Sequence, residues 1–236
     1  MRHRNIHDGM PADQGRLAAR PVIAVGKPET PPSIRTLSIG NTRFGLISVP
    51  SGYSPSRPAP LLVLLHGAVG DAKQALGWLQ DIADENGLIL LAPQSEERTW
   101  DVIMGGFGSD VRRIDDALSE VFHQFAIDPV RIAIGGFSDG ASYALSLGVI
   151  NGALFRRVIA FSPGFVAANH AEDHPRFFVS HGVSDTVLPI DACSRRLVPK
   201  LKGAGFEVLY REFDGGHSVP ADVAREAMDW FLNDTR

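Results

Sequence analysis

The sequence contains only one cysteine, Cys193, in 236 residues. A single thiol cannot form an internal disulfide. Its neighbours, Ala192 and Ser194, belong to a helical pattern that is far in sequence from the glycine-rich turns. We therefore interpret Cys193 as a packed helix residue and not as a catalytic thiol.

Long apolar runs are also absent. No stretch approaches the roughly 18 apolar residues of a membrane span. The opening residues Met1-Arg2-His3-Arg4 are not followed by the apolar segment of a secretory signal. These two absences predict no membrane span and favour a soluble protein of the cytoplasm.

Basic charge is not in excess. The 23 lysines and arginines are outnumbered by 27 aspartates and glutamates, which gives a net charge of −4. No basic stripe interleaved with aromatic residues occurs, so nucleic acid is not an expected partner. The 44% of apolar and 21% of charged residues are typical of a globular protein, and the length suits one large α/β domain.

The N-terminal part differs from the rest of the chain. Residues 1–32 mix Arg, His, Asp, Pro and Ala without sustained periodicity. We predict a poorly ordered extension here, with one strand docked on the body as an alternative. Residues 33–236 are predicted to form one domain, which begins with a hairpin of Ile34–Ile39 and Arg43–Val49 around a turn at Gly40-Asn41.

Short apolar runs and amphipathic patterns alternate through the predicted domain. Pro60–Leu65 is uninterrupted, as in a strand that is buried on both faces of a parallel sheet. One helical face is formed by Val111, Ile114, Leu118, Val121, Phe122 and Phe125. This alternation predicts an α/β fold with a mostly parallel central sheet of about eight strands flanked by helices. The interval between Ala153 and Arg176 leaves little space for a lid domain.

A nucleophile elbow is predicted where a β-branched strand gives way to a helical pattern. Gly136, Ser138 and Gly140 fill the G-x-S-x-G spacing at this point. The sharp turn strains its central residue and requires small neighbours, and it presents the serine hydroxyl at the sheet edge. The alternative is an ordinary strand-to-helix turn with a helix-capping serine.

A serine hydroxyl needs a base, and the base needs a carboxylate. His217 follows the last strand in a glycine-rich loop and is the predicted base. His66 and His181 each precede a glycine at a strand end. We interpret these two as buried histidines that bond to backbone. Asp185 is the predicted acid. The order Ser138, Asp185, His217 is that of α/β-hydrolases.

Other acidic residues and histidines are less suited to these roles. Asp191 is interpreted as a helix N-cap, and Asp214 lies too close to His217 along the chain to reach behind it. His170 and His174 flank two acidic residues, but we interpret that segment as a solvated loop, so no metal is expected.

An oxyanion hole requires two hydrogen-bond donors aimed at the developing negative charge. The backbone N–H of Asp139 is one candidate, because the start of a helix leaves it unpaired. The N–H of Ala68, after His66-Gly67, is the other. The alternative for Ala68 is a plain tight turn.

Five ordered pieces of the sequence resemble the α/β-hydrolase superfamily and, within it, the phospholipase/carboxylesterase family that includes acyl-protein thioesterases. The resemblance covers residues 60–234, and its pieces are Leu65-His66-Gly67, Trp100-Asp101, Gly135 to Gly140, His181-Gly182 with Asp185 ahead of Pro189, and Gly216-His217-Ser218. It implies Ser138 as nucleophile, Asp185 and His217 as its partners, no cofactor, and hydrolysis of esters or thioesters. One departure is Asp139, where thioesterase members usually carry glutamine.

These observations together predict a serine hydrolase that cleaves small-molecule carboxylic esters with short to medium acyl chains. Trp100 and Phe107 lie on a loop that should border the cleft, so we expect them to line the acyl pocket, with core packing as the alternative. A thioesterase, or a peptidase or amidase on the same scaffold, is the main alternative function, and a non-catalytic binding protein is disfavoured. A homodimer is left open.

Overall fold

A single eight-stranded sheet forms the centre of the computed structural model, which describes residues 14–22, 30–39 and 42–233. The strand order is β1-β2-β4-β3-β5-β6-β7-β8. Strand β1 pairs antiparallel with β2, and β2 pairs antiparallel with β4, while the remaining pairs are parallel. The strands are β1 (Ser33–Ile39), β2 (Thr42–Val49), β3 (Ala59–Leu65), β4 (Ile89–Pro93), β5 (Ile127–Phe137), β6 (Arg157–Phe161), β7 (Arg176–Gly182) and β8 (Val208–Phe213).

Five α-helices cover the two faces of the sheet. They are α1 (Ala72–Glu85), α2 (Ser109–Gln124), α3 (Asp139–Ile150), α4 (Ser194–Gly203) and α5 (Ala221–Asn233), and a short 3₁₀ helix spans Asp101–Met104. Helices α2, α3 and α4 pack on one face, and α1 and α5 pack on the other. The sheet is thus buried on both sides, which explains why β3 and β4 are buried at every position.

The predicted fold is confirmed, with small shifts at the boundaries. The predicted apolar face of α2 is buried from Val111 to Phe125. Strand β5 begins at Ile127, so Asp128-Pro129, a pair typical of turns, lies inside the strand. A register shift in the pairing of β3 with β5 accommodates these residues. The Gly40-Asn41 turn of the predicted hairpin lies outside the described residues.

No helix or further domain is inserted between β6 and β7 in the part of the chain that the structure describes. Residues 162–175 form an irregular connection there. The carboxyl edge of the parallel strands is therefore not covered by a lid domain.

Residues 14–22 of the predicted extension dock on the body without forming a strand. Leu17 is buried in the same core as α2 and α3, and its N–H donates to Asn151 Oδ1 at 2.8 Å. The N–H groups of Ala18 and Ala19 both donate to Asp115 Oδ1, each at 2.8 Å. Residues 1–13 and 23–29 lie outside the described residues, so the boundary near residue 33 and the poor order of the extension stay predictions.

Among the described residues, no helix is both long and apolar enough to cross a membrane.

Candidate active site

Ser138 sits at the sharp turn between β5 and α3, with φ 57° and ψ −119°. A positive φ is uncommon for a residue with a side chain, and the surrounding backbone has to hold it in place. A β-carbon on Gly136 would collide with the backbone of Gly140 and Leu65, and one on Gly140 would collide with the carbonyl oxygens of Leu65 and His66. The glycines on either side of the serine are therefore required by close backbone approach.

The side chains of Ser138, His217 and Asp185 form a continuous hydrogen-bonded chain. The Oγ of Ser138 lies 2.9 Å from Nε2 of His217. The Nδ1 of the same ring lies 2.6 Å from Oδ2 of Asp185. The carboxylate can only accept here, so Nδ1 carries the proton and Nε2 is free to accept one from the serine hydroxyl.

Asp185 is buried, and three hydrogen bonds hold its carboxylate. Its Oδ1 accepts the backbone N–H groups of Val187 at 2.9 Å and Leu188 at 2.8 Å, while Oδ2 faces His217. Burial by itself raises the pKa of Asp185, but the hydrogen bonds from His217, Leu188 and Val187 outweigh it, so the net pKa is lowered. The carboxylate is therefore ionised at neutral pH and is oriented toward the imidazole.

Backbone hydrogen bonds connect the loop of the acid to the loop of the base. The N–H of Val183 donates to the carbonyl of Phe213, and the N–H of Ser184 donates to the carbonyl of Gly215, both at 2.9 Å. A β-carbon on Gly182 would collide with the carbonyl oxygens of this glycine-rich loop. The two loops are thus packed against each other by backbone, which keeps Asp185 behind His217.

The turn after β3 lies directly beside the nucleophile. A β-carbon built on Gly67 would be 3.4 Å from Cβ of Ser138. The turn is held by the N–H of Val69, which donates to the carbonyl of Arg98 at 2.7 Å, and by the N–H of Gly70, which donates to the carbonyl of Gly67 at 3.0 Å. Among the described residues, the N–H of Ala68 makes no hydrogen bond.

Asp139 is the first residue of α3, so its backbone N–H has no intrahelical partner. Its side chain is occupied elsewhere, because Oδ2 accepts the hydroxyl of Thr99 at 2.6 Å. The sequence does not predict this contact, because Thr99 belongs to no motif. It shows that the carboxylate of Asp139 turns toward the loop that follows β4.

The prediction that Trp100 lines the acyl pocket is wrong. Its side chain is fully buried, and its indole N–H donates to the carbonyl of His66 at 2.8 Å. The residues after it fold back because Asp101 and Asp110 accept backbone N–H groups from each other's segments. Core packing is the interpretation that holds for Trp100.

Phe107 is partly buried and stacks on Tyr143 of α3, with the ring centroids 6.0 Å apart. It also lies against Gly15 of the docked N-terminal segment. No contact places it next to Ser138, and its role as a substrate contact stays a prediction.

The two remaining strand-end histidines are both buried and both bond to backbone, as predicted. His66 Nδ1 lies 2.8 Å from the carbonyl of Gly67, and His181 Nε2 lies 2.8 Å from the carbonyl of Leu188. Burial lowers the pKa of each ring. Within the described ranges, no cluster of three or more His, Cys, Asp or Glu side chains could hold a metal ion.

Solved structures of α/β-hydrolase enzymes share the fold of this molecule. The fluorophosphonate-binding serine hydrolase F (FphF) of Staphylococcus aureus matches with a TM-score of 0.69 and 15% identity, over 87% of this chain and 100% of that one. A phospholipase/carboxylesterase from Dyadobacter fermentans matches with a TM-score of 0.62 and 19% identity, over 86% of this chain and 99% of that one. At such identities the likeness establishes the α/β-hydrolase fold.

The sequence narrows this class to one family. The model of the phospholipase/carboxylesterase family matches residues 105–233, more than half of the chain. The chain therefore belongs to that family. A curated relative, feruloyl esterase C of Emericella nidulans, is 28% identical over 159 residues. The match covers 64% of this chain and spans only 58% of that protein's length.

Proposed function

We propose that this protein is a serine hydrolase that cleaves carboxylic esters through a covalent acyl-enzyme, with Ser138 as nucleophile, His217 as general base and Asp185 as the residue that orients it. The observation that carries the proposal is the pair of contacts on the His217 ring, 2.9 Å to the serine oxygen and 2.6 Å to the carboxylate. Those are the distances at which a hydroxyl can be activated by an adjacent base.

In the first half-reaction, Oγ of Ser138 attacks the ester carbonyl carbon and passes its proton to Nε2 of His217. The resulting tetrahedral intermediate carries a negative oxygen. When the intermediate collapses, the bond to the alcohol oxygen breaks, and Nε2 returns the proton to this leaving group. In the second half-reaction, water attacks the acyl-enzyme with the same base, and the acid and the free serine are released.

The negative oxygen needs donors that exist before the reaction begins. The free N–H of Ala68 and the N–H at the start of α3, on Asp139, are proposed for this role. Their support is the close approach of Gly67 to Ser138 and the absence of any other partner for the N–H of Ala68 among the described residues. The positive end of the α3 dipole points toward the same position.

The open carboxyl edge bears on the choice of substrate. With no lid domain over the described site, we expect small or partly soluble esters with short to medium acyl chains. The similarity to a feruloyl esterase makes an aromatic acyl group a substrate to test beside alkyl esters. Thioesters and amides are the alternatives, and the cytoplasmic location stays a prediction.

The experiment combines a covalent probe with substrate turnover. We expect a fluorophosphonate to label the wild-type protein and to leave Ser138→Ala unlabelled, with ester turnover of the variant reduced by roughly five to six orders of magnitude. A matched control is Ser146→Ala, which changes a buried serine of α3 whose hydroxyl bonds to backbone. Equal labelling of wild type and Ser138→Ala would overturn the proposal.

The substrate class is resolved by a second measurement. Nitrophenyl esters of increasing chain length, a feruloyl ester, an acyl-CoA and a matched anilide are compared by kcat/KM. We expect the esters to exceed the matched anilide and the acyl-CoA. A faster anilide or acyl-CoA would assign the site to an amidase or a thioesterase.

A further inference from the structure

His181 is fully buried four residues before Asp185, and both of its ring nitrogens have partners. Its Nε2 lies 2.8 Å from the carbonyl oxygen of Leu188. Its Nδ1 lies 2.7 Å from the hydroxyl of Ser194, the first residue of α4. Ser194 is also fully buried. No part of this ring is accessible to a substrate.

The partners determine which nitrogen carries the proton. A carbonyl oxygen can only accept, so Nε2–H donates to Leu188. Burial lowers the pKa of His181, so the ring is neutral and Nδ1 carries no proton. The hydroxyl of Ser194 therefore donates to Nδ1 and fixes both the tautomer and the orientation of the ring.

In this tautomer, His181 fixes the backbone of Leu188, and Leu188 in turn positions Asp185. The N–H of Leu188 donates to Oδ1 of Asp185 at 2.8 Å, and its carbonyl accepts from His181. The backbone of Leu188 is thus fixed on both sides. The Nε2 of His181 also lies 3.3 Å from Oδ2 of Asp185, the oxygen that faces His217.

We propose that His181, oriented by Ser194, is a positioning residue that sets Oδ2 of Asp185 against Nδ1 of His217. This inference rests on the proposed function, since it assigns a role toward the base of the same site. The chain of contacts runs from Ser194 through His181 to Asp185, and from there through His217 to Ser138.

Few other charged groups face this network. Glu212 of β8 pairs in register with His181, and its own pKa is lowered chiefly by Arg195. Cys193 lies near Asp185, and burial raises the pKa of its thiol, so it is neutral. A change in the pH profile of variants in this network is therefore assigned to a displaced Asp185, whose pKa its hydrogen bonds lower.

The test compares variants that keep or remove each hydrogen bond. His181→Leu removes the ring, His181→Gln offers an amide N–H in place of Nε2–H, Ser194→Ala removes the hydroxyl and Ser194→Thr retains it. His174→Asn, at an exposed histidine, is the matched control. The readouts are kcat and KM for one nitrophenyl ester, the pH dependence of kcat/KM, and thermal denaturation to establish folding.

We expect Ser194→Ala and His181→Leu to lower kcat roughly 10- to 100-fold with little change in KM, because a small displacement of the acid loosens the base. The pH dependence of kcat/KM should change in Ser194→Ala and His181→Leu and should stay unchanged in His174→Asn. Ser194→Thr and His181→Gln should recover most of the loss. His174→Asn should match the wild type.

Other outcomes overturn the inference. Folded Ser194→Ala with wild-type kcat and an unchanged pH profile would do so, as would equal losses in Ser194→Ala and Ser194→Thr. If His181→Leu does not fold, the two Ser194 variants decide alone. A wild type that fails to react with a fluorophosphonate would instead overturn the proposed function, so the two failures are distinguishable.

Discussion

Two strands of the parallel sheet end in the same dipeptide, His66-Gly67 after β3 and His181-Gly182 at the end of β7. Both histidines are fully buried and both bond to the loop that follows. Their tautomers are opposite. His66 donates from Nδ1 and accepts at Nε2 from the N–H of Ser95 at 3.1 Å, whereas His181 donates from Nε2.

In the proposed mechanism, the two loops present opposite chemistry to the reaction. After β3 the loop offers a backbone N–H on Ala68, which suits a developing negative oxygen. After β7 the loop offers the carboxylate of Asp185, which suits a developing positive imidazole. In each case a buried histidine bonds to the loop that follows it, and in the proposed mechanism the residues after the glycine decide which half of the site that loop supports.

The largest loss of kcat is expected from a substitution of Asp185, on the loop after β7. Asp185→Asn retains the shape of the side chain, but the amide can donate to Nδ1 and favours the wrong tautomer of His217. We expect kcat to fall roughly 10⁴-fold. Steady-state turnover of a nitrophenyl ester measures this, and Asp191→Asn, at an exposed aspartate that pairs with Arg195, serves as control. A loss of less than tenfold would contradict the assignment of Asp185.

The proposed oxyanion donor on Ala68 is a backbone N–H, so only a substitution that changes the backbone removes it. Ala68→Pro removes the N–H and should lower kcat by roughly 10²- to 10³-fold, the usual cost of one oxyanion donor. Ala68→Ser retains the N–H and should stay within about threefold of wild type. Equal losses in the two variants would show that the side chain at this position, and not its N–H, matters.

The two glycines of the dipeptides should differ in their tolerance. A β-carbon at Gly182 collides with carbonyl oxygens of the His217 loop, while one at Gly67 meets a ring atom of Phe137 at 3.3 Å. We expect Gly182→Ala to lower the free energy of unfolding by about 1–3 kcal/mol. Gly67→Ala should lower it by less than about 1 kcal/mol. Urea denaturation measures both, and the reverse ranking would contradict the packing described.

Acid should destabilise the fold through both histidines. Their pKa values are lowered from the ordinary 6.5 by burial, so the unfolded rings bind protons below pH 6.5 and the folded rings do not. The free energy of unfolding should therefore be unaffected by these groups above pH 6.5 and should fall as the pH drops below it, by at most about 1.4 kcal/mol per pH unit for each ring. His181→Gln should reduce this slope. A slope that begins only in the carboxylate range, in wild type and variant alike, would contradict it.

Much of the site could be predicted because it follows from strand ends. The glycines around Ser138 and the loops of Asp185 and His217 occupy the carboxyl ends of β5, β7 and β8, which one sheet brings to one edge. The layered fold followed from the same alternation of apolar runs and helical patterns.

The remaining features depend on side-chain direction, which sequence spacing does not determine. Trp100 is adjacent to the cleft in sequence but points inward, because Asp101 and Asp110 fold its loop back. Thr99 and Ser194 belong to no motif, so their contacts with Asp139 and His181 appear only once the chain is folded.

The most direct test of a covalent mechanism at this edge is to locate the acyl group. Wild-type protein is mixed with a nitrophenyl butyrate, quenched in acid during turnover, digested and mapped by mass spectrometry. We predict a butyryl group on Ser138, with none on this peptide in Ser138→Ala. Ester consumption with no adduct on Ser138, or with the adduct on another residue, would contradict the mechanism.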